Sequence, residues 1–212
     1  MTEIQRIKCG NGNCYIVANG KDAILVDTGK RDYLDAILEA CKPYDMRLLL
    51  LTHGHFDHTE NAAVLSEKLG IPIAMHKADS DLIDDNMAQS LTAGSLFGRI
   101  VLKASLKAFS NQKILTFQPK IFLAQGDDLS EYGIPAKVIG LPGHTNGSIA
   151  IDVEGKYLFA GDALMNMLYP TVSLLYHNRE EMLNSAKRIS GLGDRIIYFG
   201  HGKPALNKIW VK

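Results

Sequence analysis

Short apolar runs closed by turn residues dominate the first third of the chain. Cys14 to Ala18 and Ala23 to Val26 are such runs, separated by Asn19-Gly20 and followed by Asp27-Thr28-Gly29. Asn-Gly between two apolar runs is a two-residue hairpin signal, so an antiparallel pair is predicted there. Tyr33, Leu34, Ile37, Leu38 and Cys41 then recur at helical spacing, and the pattern stops before Pro43, whose ring disfavours a helical residue ahead of it. Arg47 to Leu51 has almost no polar face, the pattern of a strand covered on both sides. A helix from about Glu60 to Leu69 is predicted to stop at Gly70, with Ile71 to Met75 as the next strand.

The second half repeats this grammar. Strands are predicted near Ala136 to Leu141, Ser148 to Val153, Tyr157 to Ala160 and Arg195 to Phe199, with a helix near Arg179 to Ile189. Two sheets with outer helices accommodate such a pattern. Between the halves, Asp79 to Lys120 differs in character. Leu82, Met87, Leu91, Leu96, Phe97, Ile100, Leu106 and Phe109 suggest two short helices, and Arg99, Lys103 and Lys107 form one basic face. This 79–120 segment is expected to be a helical insertion, either a lid over a site or part of the core, that supplies no residue to the chemistry.

Composition narrows the possibilities. The 212 residues, 46% of them hydrophobic, suffice for a core without disulfides and fit one domain over 1–212. Lys plus Arg number 23 against 23 Asp plus Glu, which removes the broad positive field that nucleic-acid binding needs. Cys9, Cys14 and Cys41 form no C-x-x-C pair and leave one thiol over in any disulfide scheme. The first twenty residues carry polar groups throughout, and nowhere do eighteen apolar residues run together. The expectation is a cytoplasmic protein that engages a small molecule, with neither nucleic acid nor membrane as partner; the oligomeric state is not legible.

The chemistry is concentrated after the buried strand. Thr52-His53-Gly54-His55-Phe56-Asp57-His58 gathers three of the seven histidines and a carboxylate within six residues. Positions 53, 55 and 57 share a side if the chain stays extended while His58 points elsewhere, so the loop could serve two neighbouring ions. Imidazole and carboxylate suit zinc, with iron and manganese also compatible. Three later residues follow apolar strands beside a glycine: His144 in Pro142-Gly143-His144-Thr145, Asp162 in Ala160-Gly161-Asp162, and His201 in Gly200-His201-Gly202. Glycine lets backbone turn sharply where several strand ends aim at one point. Tyr169, Tyr176, His177 and Lys203 are candidate proton donors, and Tyr169 is the one advanced as catalytic.

These residues resemble the metallo-β-lactamase fold superfamily over nearly the whole chain, through the H-x-H-x-D-H motif. The resemblance implies an αββα sandwich with a site along one sheet edge. It also implies that His53, His55 and His144 hold one metal, that Asp57, His58 and His201 hold a second, and that Asp162 bridges them. Asp57 and Asp162 are then the candidate catalytic carboxylates. Asp27 matches an early acidic position that supports the metal loop from behind. The Thr-His-x-His-x-Asp-His loop and the Pro142-Gly143-His144-Thr145 turn are similar to those of small glyoxalase II-like thioesterases. The stretch Asp162-Ala163-Leu164-Met165 departs from that group, and only eleven residues follow His201, too few for its basic C-terminal helical region. The resemblance therefore raises the expectation of a hydrolase with two divalent ions, zinc foremost, that activates a water between them against a thioester, ester or lactone. A mononuclear iron sulfur dioxygenase and a metal-dependent phosphodiesterase or nuclease stand as alternatives.

Overall fold

The computed structural model describes residues 2–109 and 115–211. Thr2–Cys9 (β1), Gly12–Asn19 (β2) and Asp22–Val26 (β3) form an antiparallel meander. Leu34–Cys41 (α1) leads to Asp45–Leu50 (β4), and Phe56–Thr59 (α2) and Ala62–Leu69 (α3) lead to Ile73–Met75 (β5). After Thr92–Ala93 (β6) and Leu96–Phe109 (α4), Ile121–Phe122 (β7) completes a sheet of order β1-β2-β3-β4-β5-β7, parallel from β3 onward.

Ala136–Gly140 (β8), Ile149–Val153 (β9) and Tyr157–Gly161 (β10) form a second antiparallel meander. Two small strand pairs follow. Leu164–Met165 (β11) pairs with Thr171–Val172 (β12), and Leu175–Tyr176 (β13) reaches back to β6. Arg179–Ser190 (α5), Ile196–Phe199 (β14) and Ala205–Leu206 (β15) finish a second sheet of order β15-β14-β10-β9-β8.

Side-chain alternation along the strands explains the layering. Tyr15, Val17, Ile24, Leu48 and Leu50 face inward and meet Val138, Ile149, Ile151, Val153 and Phe159 of the second sheet. Cys14, Ile16, Leu25 and Leu49 point the other way, against Ile37 and Cys41 of α1 and Ala62 and Leu65 of α3. Leu158, Ala160, Ile197 and Phe199 pack on Ala186 and Ile189 of α5. The result is the αββα sandwich.

Differences from the sequence reading have local causes. β1 escapes an apolar-run search because it is an edge strand whose buried, half-buried and exposed positions are mixed. The helix expected from Glu60 starts earlier and breaks, because Asn61 turns aside to donate to Thr28 O and Lys30 O at 3.0 and 2.8 Å. In the 79–120 segment the two short helices become one 3-10 stretch, Lys77–Ile83, and the single longer α4.

Candidate metal centre

The loops that leave β3, β4, β8, β10 and β14 gather at one edge of the sandwich, where Ile149 N donates to Thr52 O at 2.9 Å and ties the two sheets together. Close approach there requires glycine. A Cβ on Gly200 would lie 2.2 Å from Asp162 Oδ1 and 2.6 Å from His58 Cε1.

The ligand-type atoms of His53, His55 and His144 all lie within 4.8 Å of one another, and so do those of Asp57, His58 and His201. Asp162 stands between the two sets. Its Oδ2 is 3.7 Å from His144 Nε2 and 3.3 Å from His201 Nε2, and its Oδ1 is 3.6 Å from His58 Nε2. Asp57 Oδ2 is 3.4 Å from His201 Nε2.

Four imidazoles are oriented from behind through Nδ1. His58 Nδ1 donates to Asp27 Oδ2 at 2.8 Å, His144 Nδ1 to Leu175 O at 2.8 Å, and His201 Nδ1 to Asn11 O at 2.9 Å. His53 Nδ1 lies 3.1 Å from Thr52 Oγ1, whose own proton goes to Asp27 Oδ2 at 2.9 Å. This leaves Nε2 of each ring aimed at the centre, the arrangement that fixes tautomer and direction in metal-binding histidines. His55 is turned the other way, with Nδ1 3.0 Å from His144 Nε2.

Charge and burial prepare the same groups as ligands. Burial pushes His53 well below the ordinary imidazole range, helped by His58 and His144, and pushes His55 down to about 3 with His144 as the next cause. Burial opposes charge on His58 too, yet Asp27, Asp162 and Asp57 raise it to about 9. His201 is likewise raised, against burial, by Asp162 and Asp57. Desolvation works against ionising Asp57 and Asp162, but His58 and His201 hold both well below the usual carboxylate range. Both carboxylates are therefore anionic at neutral pH, and a cation entering at His58 and His201 displaces protons. His53 Nε2, His58 Nε2 and Asp162 Oδ1 are buried without a hydrogen-bond partner among the described residues. Such atoms are costly unless something binds them, and a divalent cation fits this donor set.

The sequence profile of the metallo-beta-lactamase superfamily matches residues 7–201. The chain belongs to that superfamily. Among its relatives, the hydroxyacylglutathione hydrolase GloC of Haemophilus influenzae is 27% identical over 208 residues, covering 94% of this chain and 90% of its own. A probable metallo-hydrolase of Methanocaldococcus jannaschii is 29% identical over 160 residues, 73% of this chain and 68% of that one. In fold the chain is similar to the BLEG-1 B3 metallo-beta-lactamase, with a TM-score of 0.77 at 22% identity over 96% of this chain and 94% of that one. It is also similar to TTHA1623, crystallised in a di-iron-bound form, with a TM-score of 0.70 at 24% identity over 98% and 96% of the two chains.

Beside this candidate metal centre, Asp79 is a residue the sequence reading missed, and it corrects the expectation that the 79–120 segment supplies nothing to the metal loops. Its fully buried carboxylate accepts from Gly54 N at 3.0 Å, Thr145 Oγ1 at 2.7 Å, Gly147 N at 2.6 Å and Gln89 Nε2 at 3.1 Å. It thus clamps the His53–His55 loop to the His144 loop. Asn86 adds a second tie, its Oδ1 accepting from Phe56 N at 2.6 Å. A lone Asp among Asp79, Asp81, Asp84 and Asp85 carries no motif that would have singled it out.

Tyr169, advanced as a catalytic proton donor, is not brought to the cluster. It is 66% exposed and lines a small side recess with Phe97, Met165 and Leu168. The cause is local: the β11–β12 hairpin turns over residues 166–170, and a side chain at its tip points away from the strand ends. His177 is held at the surface by Ser90 O, 3.0 Å from its Nδ1, and Tyr176 sits in the β13–β6 pair opposite Thr92. A cavity of about 380 Å³ lies directly over the cluster. His55, Asp57, His144, Asp162 and His201 form its floor, while Phe97, Ile100, Val101 and Ala104 of α4 form one wall.

Proposed function

We propose that the chain is a dinuclear metal-dependent hydrolase of a small carbonyl compound, a thioester, ester or lactone. One observation carries this reading: the Asp162 carboxylate lies between two sets of ligand atoms, with buried donors on both sides that lack hydrogen-bond partners among the described residues. His53, His55 and His144 would hold one ion, Asp57, His58 and His201 the other, and Asp162 both. When bound, two divalent ions lower the pKa of water from 15.7 towards about 7 and polarise the carbonyl under attack. Zinc suits the nitrogen and oxygen donors best, with iron and manganese compatible.

The chain's own groups then confine and orient the reactants. Asp57 lines the cavity with its side chain 21% exposed and, being anionic, accepts a hydrogen bond from an entering water. Leu91, Met165 and Leu175 exclude bulk solvent around it. No tyrosine is among the described residues lining this cavity. A thiolate leaves without needing a proton, whereas an alkoxide or amine needs a donor; with no tyrosine there, and with the ammonium of Lys30 placed over the Phe56 ring, these walls favour a thioester over an amide. The relative from Haemophilus influenzae, a hydroxyacylglutathione hydrolase by name, is consistent with that preference. No helix among the described residues is long and apolar enough to cross a membrane. A cytoplasmic setting and a small-molecule partner, with no nucleic acid, complete the reading.

The test is elemental analysis of protein purified without added metal, paired with a hydrolysis screen over thioesters, lactones and phosphodiesters. Two zinc equivalents with thioester or lactone turnover support the proposal. A single iron with oxygen consumption would replace it by a dioxygenase, and turnover of phosphodiesters alone by a phosphodiesterase.

A further inference from the structure

A second cavity, of about 470 Å³, opens beside the first and differs from it in charge. Arg6, Lys8 and Lys203 line it together with Asn11, Asn13 and Asn166, and no Asp or Glu is among the described residues of its walls. None of the three cations makes an ion pair with a carboxylate among the described residues. The chain as a whole carries no net charge, so three uncompensated cations around one recess are a local arrangement and not a consequence of composition.

The recess is built from strand register and pinned loops. Arg6 and Lys8 are two apart on β1 and therefore share a face, and Lys8 lies opposite Asn13 across the β1–β2 pair. Arg6 Nη1 and Asn13 Nδ2 both donate to Gly202 O, at 3.2 and 2.8 Å, and Asn13, itself buried, donates again to Phe199 O at 3.0 Å. From the other side Asn166 N donates to His201 O at 2.9 Å and Asn166 Nδ2 to Lys203 O at 2.7 Å. The backbone from His201 to Lys203 is thereby held at both edges. One short loop presents a metal-ligand histidine to the first cavity and an ammonium to the second. Asn11 and Met167 line both cavities, so the two adjoin, and the Asn11 carbonyl in their shared wall is the acceptor that orients His201.

We propose that Arg6, Lys8 and Lys203 form an anion-recognition subsite that holds a carboxylate or phosphate carried by the substrate, beside the cavity over the metal-ligand cluster. The inference rests on the hydrolase reading and refines it. The substrate has one end suited to the apolar wall of α4 and another that bears negative charge. Charged donors gathered in a recess beside a reacting centre bind an anion by charge-assisted hydrogen bonds and draw it in by long-range attraction, both weakened by salt.

The test compares thioesters with one acyl group and three thiols: neutral N-acetylcysteamine, the carboxylate-bearing N-acetylcysteine, and phosphate-bearing phosphopantetheine. The zinc-loaded wild type should prefer one or both anionic thioesters over the neutral one by about tenfold or more in kcat/KM, with the preference shrinking as salt rises. In the triple variant Arg6→Gln, Lys8→Gln, Lys203→Gln that ratio should fall towards one, chiefly through KM. The carboxylate and phosphate arms show which anion the site takes. Because Arg6 also ties down Gly202, Arg6→Lys with melting temperature and metal content measured alongside separates lost charge from a displaced loop. A wild type without anionic preference, or a triple variant that keeps it, overturns the subsite. If no thioester, ester or lactone is cleaved, the hydrolase reading fails by itself, and calorimetric binding of succinate to the zinc-loaded proteins still decides the subsite. Weaker binding in the triple variant supports it, and equal affinity in the two proteins overturns it.

Discussion

Asp27 Oδ2 accepts a hydrogen bond from His58 Nδ1 at 2.8 Å, with both side chains almost completely buried. The same carboxylate accepts from Thr52 N at 2.8 Å and from Thr52 Oγ1 at 2.9 Å. It therefore steers His58 directly and His53 through the Thr52 hydroxyl. Asp27 does this from a positive φ of 59°, a backbone region that Asp and Asn tolerate better than other non-glycine residues.

Asp27→Asn is the informative replacement because it preserves that backbone and the shape of the side chain. An amide has one acceptor oxygen and turns an NH₂ towards a group that must also donate. Metal affinity should fall about 10- to 100-fold, with about 1–3 kcal/mol lost in stability from the mismatched donor. Competition with a chromophoric chelator measures the first and thermal unfolding of metal-loaded protein the second. Wild-type affinity in the variant would remove Asp27 from the orienting role.

Metal content should sort the cluster residues into two groups. His58→Ala and His201→Ala should lose mainly one ion, His53→Ala and His144→Ala mainly the other, and Asp162→Ala should weaken both. Exhaustive chelation should abolish hydrolysis and lower the melting temperature, since an ion bound only by the native state stabilises it by mass action. Loss of the same single ion in all five variants, read by elemental analysis, would contradict a two-site cluster.

Asp79 shows where the sequence stopped being informative. Each ligand-type residue stands just beyond an apolar strand in a short glycine-containing motif, so the meeting of His53, His55, His58, His144 and His201 at one sheet edge was readable from neighbours in the chain. Asp79 earns its role only through partners 25, 66 and 68 residues away, Gly54, Thr145 and Gly147, and no local pattern encodes such pairings. The same limit hid β1, whose pairing partner supplies its order, and misled the reading of Tyr169, where seven residues after Asp162 were too few to reveal an intervening hairpin tip.

Asp79→Ala should accordingly cost more than an ordinary surface change. It strands the Gly54 and Gly147 amides around a cavity, while the Thr145 hydroxyl keeps Ser148 Oγ and the Gln89 amide keeps Ala78 O as partners. At about 1–3 kcal/mol for each buried donor left unsatisfied, with partial rescue by water, a loss of about 3 kcal/mol or more is expected. The ion at His53, His55 and His144 should weaken with it, because the two loops that carry those residues lose their common tie. Urea unfolding and metal titration of the variant check both. Wild-type stability and affinity would show that the clamp contributes nothing.

The α4 helix tests whether the 79–120 segment selects substrates or simply fills the core. Phe97 and Ile100 contribute to the cavity wall over the cluster, yet they are 41% and 68% exposed, so the folded protein gains little from burying them. A bound acyl chain would gain more. Covering about 60 Å² of apolar surface at about 25 cal/mol per Å² gives about 1.5 kcal/mol, or roughly tenfold in affinity. Phe97→Ser and Ile100→Ser should therefore raise KM for long-chain acyl substrates by about that factor, with little change for an acetyl ester and unchanged metal content. Since surface replacements outside the packed core stay within about 0.5 kcal/mol, the melting temperature should hardly move. If the helix were core instead, the order of effects would reverse: both variants would melt early, and the residual folded enzyme would keep its wild-type preference for chain length. Kinetics across an acyl series, measured beside thermal unfolding on the same preparations, separates these outcomes because each account forbids what the other requires.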